Sequence, residues 1–110
     1  MTAGDPAGIG PEIAAAAWRL RAERAVPPFY LLGDPGLMRA RAPDVDIAIV
    51  QPQDAAHAFA GALPVVPLRA AFADRPGRPA PANAAGIVES IERAVADVAA
   101  GRADALVTCP

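Results

Sequence analysis

At 110 residues the chain is the size of one small domain with room for its own core. Hydrophobic residues make up 54% and charged residues 20%, with a net charge of −2, which fits a folded protein and supplies no attraction for nucleic acid or an anionic membrane. The single cysteine, Cys109, excludes an internal disulfide and suits a reducing cytoplasm; no leader-like opening and no apolar run near about 18 residues is present, so neither export nor membrane insertion is expected.

Met1-Thr2-Ala3 leaves scarcely room for a strand, and the first strand reads as clipped. Gly4 to Glu12 follows, with three glycines and two prolines in nine residues, a composition closed to regular strand or helix interior. Pro11 and Glu12 suit the first turn of a helix, so the stretch reads as a tight, side-chain-poor loop feeding a helix N-terminus. Such a place admits an anionic ligand close to backbone N–H groups; a plain turn between two elements has the same composition. Glycines at 4, 8 and 10 match neither a Walker loop nor G-x-G-x-x-G.

Residues 13–24 read as a helix with Ile13, Ala16, Ala17 and Leu20 inward and Trp18 as packing, ended by Val26-Pro27-Pro28. Residues 29–32 read as a strand buried on both faces, Asp34 as the cap of a short helix over 37–41, and 45–50 as a β-branched strand. The segment 51–61 is poorly patterned, and its lone His57 reads as a surface residue. Pro64 and Pro67 interrupt 63–68, which reads as an edge strand or an extended connection.

Residues 74–81 form a loop on composition, with Arg75 and Arg78 solvated. A helix then runs from Asn83, its expected N-cap, to Gly101, its expected stop, with Ile87, Ile91, Ala94, Val95 and Val98 inward. Residues 104–108 read as a strand that delivers Thr108-Cys109-Pro110 to its carboxyl end, the edge where open α/β sheets bind ligands. No composition break divides residues 1–110. The reading is α/β, a mostly parallel sheet flanked by helices, truncated at both ends, so exposed apolar surface is expected.

Thr2 to Ile13 closely resembles the opening signature of the 4-hydroxythreonine-4-phosphate dehydrogenase family of pyridoxal phosphate biosynthesis. A second match is the helix carrying Ile91-Glu92-Arg93-Ala94-Val95, which leads through Gly101 into Asp104 to Pro110, where the family has a strand ending in Thr-x-Pro. The resemblance covers about the N-terminal third of a family member. It implies part of a fold like that of isocitrate and isopropylmalate dehydrogenases, whose loop reads Gly-Asp-Gly-Ile-Gly-Pro-Glu. It further implies NAD-dependent oxidation of 4-phosphohydroxy-L-threonine followed by decarboxylation, a divalent metal (zinc, magnesium or cobalt) held by three histidines, and a homodimer.

Residue by residue, the resemblance places Gly8, Ile9 and Gly10 beside the nicotinamide, with Ile9 as an apolar wall. Asp5 and Glu12 orient the loop through backbone hydrogen bonds, and Thr108 offers a hydroxyl at the substrate end. The metal histidines and a histidine–threonine substrate pair have no match up to Pro110, nor does the lysine that follows Thr-x-Pro. No catalytic or metal residue is therefore assigned within this stretch, and Cys109 is not expected to be a nucleophile. Two alternatives stand beside this reading: a related dehydrogenase for another phosphorylated four-carbon acid or an aromatic cis-dihydrodiol, and a non-catalytic nucleotide- or anion-binding module.

Overall fold

Three short parallel strands set the frame of the computed structural model, which describes all residues 1–110. In chain order the elements are α1 (Gly10–Arg19), β1 (Leu31–Gly33), α2 (Pro35–Arg41), β2 (Ile47–Ile49), α3 (Ala55–Ala58), β3 (Leu63–Pro67) and α4 (Ala84–Ala99). The sheet order is β1-β3-β2, with Leu31 opposite Val65 and Ile47 opposite Leu63. Thr2 extends the sheet beyond β1 through parallel bridges to Leu32 and Thr108. The sheet therefore reads, from one side to the other, residues 107–109, residues 1–3, β1, β3, β2. The mostly parallel α/β architecture agrees with the alternating pattern of the sequence. The expected strand over 104–108 is reduced to that bridge at Thr108, flanked by Thr2 N–H donating to the Val107 carbonyl at 2.9 Å and Cys109 N–H to the Thr2 carbonyl at 3.3 Å.

The strand interrupted by prolines lies at the centre of β1-β3-β2, not at an edge. Leu63, Val65 and Val66 are fully buried. The hydrogen-bond parity explains how. Leu63 and Val65 bond to the β2 side, since Leu63 N–H donates to Asp46 and the Val65 carbonyl accepts from Val50, whereas Leu68 N–H bonds to Gly33 on the β1 side. By that alternation Pro64 faces the β1 side before β1 begins at Leu31, and Pro67 faces the β2 side after β2 ends at Ile49. Each missing N–H falls where the neighbouring strand is not yet, or no longer, paired, so a central strand tolerates both prolines.

Successive residues of the strands point to opposite faces. Leu31, Leu63 and Val65 pack with Ala14, Ala15 and Trp18 of α1 and Leu37 and Met38 of α2. On the other face Tyr30, Leu32 and Val66 pack with Ala94 of α4. The strand expected over 29–32 is shifted to Leu31–Gly33, and that over 45–50 is trimmed to Ile47–Ile49. Asp34 caps α2 as expected, accepting from Gly36 N at 2.7 Å.

Both long helices turn a different face inward from the one their apolar residues suggest. In α1 the buried side is Pro11, Ala14, Ala15 and Trp18, whereas Ile13 and Leu20 are exposed. Trp18 fixes this orientation: its ring is buried and its Nε1 donates to the Phe59 carbonyl at 2.9 Å. The helix also stops at Arg19, short of Arg24. The Arg21 side chain folds back over the Trp18 ring at 3.6 Å and takes the Trp18 carbonyl that a continuing helix would bond.

In α4 the inward residues are Gly86, Ser90, Ala94 and Asp97, and Val88, Ile91 and Val95 are exposed. Small residues let α4 pack closely on what lies beneath it: a Cβ on Gly86 would stand 2.6 Å from the ring of Phe72, in the segment after β3. Asp97 is paired in its buried position by Tyr30 Oη at 2.8 Å and Arg102 Nε at 2.8 Å. Asn83 does not cap α4. It is buried and grips Ala73 instead, accepting from its N–H at 2.8 Å and donating to its carbonyl at 3.1 Å. The expected stop holds: Gly101 has φ +71°, its N–H bonds the Val98 carbonyl and that of Arg102 the Asp97 carbonyl. Val88, Ile91 and Val95 form an exposed apolar stripe on the outer face of α4.

Candidate functional site

The first strand segment, residues 1–3, is where the order of the sheet reverses. From it the chain moves through α1 towards β1, β2 and β3 on one side, and it returns through α4 to residues 107–109 on the other. α1 and α4 cover opposite faces. The carboxyl ends of residues 1–3 and 107–109 therefore border a crevice at a topological switch point, the place where open α/β sheets take ligands. The loop expected from the sequence occupies that place.

Its shape follows from its residues. Gly4 has φ +71°, open to glycine and strained for a side chain, and a Cβ there would meet the Cys109 carbonyl oxygen at 2.5 Å. A Cβ on Gly10 would run into the Ala3 carbonyl and stand 3.0 Å from the Cys109 Cβ. These two glycines thus have a packing reason that involves no ligand: they let the loop lie flush on both strand ends. Asp5 closes a local turn, its Oδ1 accepting from Ala7 N at 2.9 Å and its carbonyl from Gly8 N at 2.9 Å. Ile9 occupies the N-cap position of α1 without a side-chain cap, and its side chain is 62% exposed at the loop's end.

Glu12 takes a side-chain partner rather than loop amides. Its Oε1 accepts from Arg41 Nε at 2.6 Å, while its Oε2 is buried without a partner. Arg41, in the last turn of α2, also donates to the carbonyls of Pro6 at 3.1 Å and Gly8 at 3.0 Å, and to Asp74 Oδ1 at 2.9 Å. Burial works against its charge, but the hydrogen bonds it donates to Glu12 and Asp74 outweigh it and hold the guanidinium more firmly protonated than usual. Gly77 N–H donates to the Ala7 carbonyl at 2.8 Å, so the segment after β3 is tied to the loop as well.

Thr108 lies exposed at the last bridge of the sheet, beside the loop. Burial pushes the Cys109 thiol up, with the Met1 amino group pulling the other way, which leaves a protonated, weakly nucleophilic sulfur at neutral pH. Gly8, Ile9, Gly10, Asp5, Glu12 and Thr108 are thus gathered at one edge of the sheet. Arg41 and Asp74 join them there, and no motif in the sequence marks either. His57 is exposed on α3. No three His, Cys, Asp or Glu side chains come together as a metal donor set in this chain. The larger cavity, about 650 Å³, opens at the opposite edge between Met1, Val26, Pro27, Tyr30 and Leu106. Its walls are mostly apolar, and it lies away from the switch point.

The sequence of the family described as pyridoxal phosphate biosynthetic protein PdxA matches residues 24–110. The whole chain also aligns with proteins named 4-hydroxythreonine-4-phosphate dehydrogenase: 55% identity over 116 residues with that of Methylorubrum populi, 45% over 122 with that of Bradyrhizobium diazoefficiens and 39% over 111 with that of Caulobacter vibrioides. The alignments cover 100% of this chain and 33%, 35% and 33% of those relatives, so the chain spans about a third of their length. They include the loop, which precedes the stretch matched by the family. The chain belongs to the pyridoxal phosphate biosynthetic protein PdxA family.

Proposed function

We propose that residues 1–110 build one wall of an NAD cleft in a dehydrogenase that oxidises 4-phosphohydroxy-L-threonine during pyridoxal phosphate formation in the cytoplasm. One observation carries the reading: the glycine-rich loop stands at the switch point of a parallel sheet with Ile9 exposed. An exposed branched side chain at a helix N-terminus gives an apolar ring a flat surface to rest on. Gly8 fits closely under the carbonyls of Pro110 and Asp5, where a Cβ would stand 3.2 and 3.3 Å away, and Gly10 anchors the loop to Ala3. Asp5 holds the turn, and the Thr108 hydroxyl offers a donor and an acceptor to a polar substrate. NAD, when bound, supplies the hydride acceptor for the secondary alcohol. The divalent metal, the ensuing decarboxylation and the homodimer belong to the same proposal. They rest on the family and on no side chain of this stretch.

The product of the complete reading frame that carries these residues tests this directly. Turnover of 4-phosphohydroxy-L-threonine with NAD and zinc or magnesium is the expected result. Activity confined to another phosphorylated four-carbon acid or a cis-dihydrodiol moves the substrate. Ile9→Ala removes an apolar contact worth about 1–2 kcal/mol, so KM for NAD should rise roughly 5- to 30-fold with kcat little changed. A co-crystal with NAD on another edge of the sheet defeats the reading. A second reading is a non-catalytic nucleotide-binding module; NAD binding without turnover of any of these substrates would select it.

A further inference from the structure

The three consecutive carbonyls of Pro6, Ala7 and Gly8 all accept from partners far along the chain: Arg41 at the first and third, Gly77 N–H at the second. The Arg41 side chain is only 11% exposed, and the same guanidinium bonds Glu12 in the first turn of α1 and Asp74 after β3. One planar group thus joins the loop, α1, α2 and the segment after β3. An ion pair alone would not produce this arrangement, because a surface cation can neutralise two carboxylates without touching a carbonyl.

The peptide unit between Gly8 and Ile9 is trans, as are all others in the chain. Its C=O and N–H therefore point in opposite directions, and holding the Gly8 oxygen on Arg41 turns the Ile9 N–H away from the guanidinium.

We propose that Arg41 is the positioning residue of the loop, fixing the Gly8–Ile9 peptide and the exposed Ile9 side chain in the geometry that receives the cofactor. The inference rests on the NAD cleft proposed above. Arginine is required because its fork supplies donors to two carbonyls and two carboxylates at once; the compact ammonium of lysine restores the charge but not that pattern.

The test uses the product of the complete reading frame with Arg41→Lys and Arg41→Met, and Arg19→Met as a control that removes the exposed pair with Asp44. Amide exchange is followed by NMR at Gly8 and Gly77, with Leu32 and Val66 as reporters of the sheet, and NAD is titrated while the Ile9 and Gly10 amides are observed. Both Arg41 variants should speed exchange at Gly8 and Gly77 about tenfold or more and weaken NAD binding about fivefold or more, with Leu32 and Val66 within about twofold of wild type. The control should change none of these. Wild-type protection in Arg41→Lys overturns the proposal, because charge alone would then suffice, and so does wild-type protection in Arg41→Met. Should Arg41→Met fail to fold, Arg41→Lys and Asp74→Asn decide on the same exchange readout. Wild-type full-length protein whose loop amides do not respond to NAD refutes the cleft itself, whereas the exchange arm judges the hold of Arg41 on the loop in either event.

Discussion

At Arg41 one cation meets four acceptors; at Glu89 the roles are reversed, and one carboxylate meets two amides. Glu89 accepts from the N–H groups of Arg69 at 2.9 Å and Ala70 at 3.1 Å, where the chain leaves β3. Burial pushes its carboxyl up, but these amides and the charges of Arg93 and Arg69 prevail and hold it below the ordinary 4.5. A lowered folded-state value stabilises the fold fully above the unfolded value of 4.5, and that contribution is lost as the pH falls through the folded value. Urea unfolding between about pH 3 and 6 should therefore show stability declining towards acid, and Glu89→Gln should flatten that part of the profile. An unchanged slope in the variant would place the acid sensitivity elsewhere. Neither Arg41 nor Glu89 is visible in the sequence, because their partners lie 29 and 20 positions away and the pairing exists only once the sheet is assembled. The loop was visible, since glycine and proline at that density restrict local backbone whatever the tertiary context.

At the scale of elements, the period of a helix is easier to read than its inward face. In α4 Ile87, Ile91, Ala94, Val95 and Val98 recur at helical spacing; Ala94 does lie inward, but Ile91 and Val95 are exposed and the residues buried beside it are Gly86, Ser90 and Asp97. Hydropathy ranks side chains by their cost in water, whereas close packing on a sheet selects them by size; here size prevailed, and Tyr30 and Arg102 supplied partners for the polar members. In β3 the prolines read as breakers of a ladder. Only the pairing register shows that their missing donors fall beyond the neighbouring strands. These assignments predict a contrast. Leu63→Ala, at a fully buried position of the central strand, should cost about 2–5 kcal/mol. Ile91→Ser, at a position 42% exposed, should change stability by no more than about 0.5 kcal/mol in this chain. Equal losses in denaturant titrations of the two variants would contradict the inward face assigned to α4.

For the molecule as a whole, the order of the sheet was the least legible property. Alternating elements announced parallel strands, but nothing local says that residues 1–3 lie between β1 and residues 107–109. That placement creates the switch point and brings Thr108 beside the loop. No helix here is long and apolar enough to cross a membrane. The exposed stripe of Val88, Ile91 and Val95 is therefore a feature of one helix face, well short of a membrane span.

The binding of the loop to the segment after β3 also bears on the order of assembly. The rim draws on the loop, α1, α2 and residues 74–77, and the bond between Gly77 and Ala7 joins stretches that meet only after β1, β2 and β3 have formed between them. Contacts between segments far apart in the chain carry an entropic cost, and these depend on strands already in place. Asp74→Ala should then accelerate unfolding several-fold and leave the refolding rate within about twofold, a φ-value near zero in stopped-flow chevrons. The rate at which this edge opens could then be tuned without altering how fast the sheet is built.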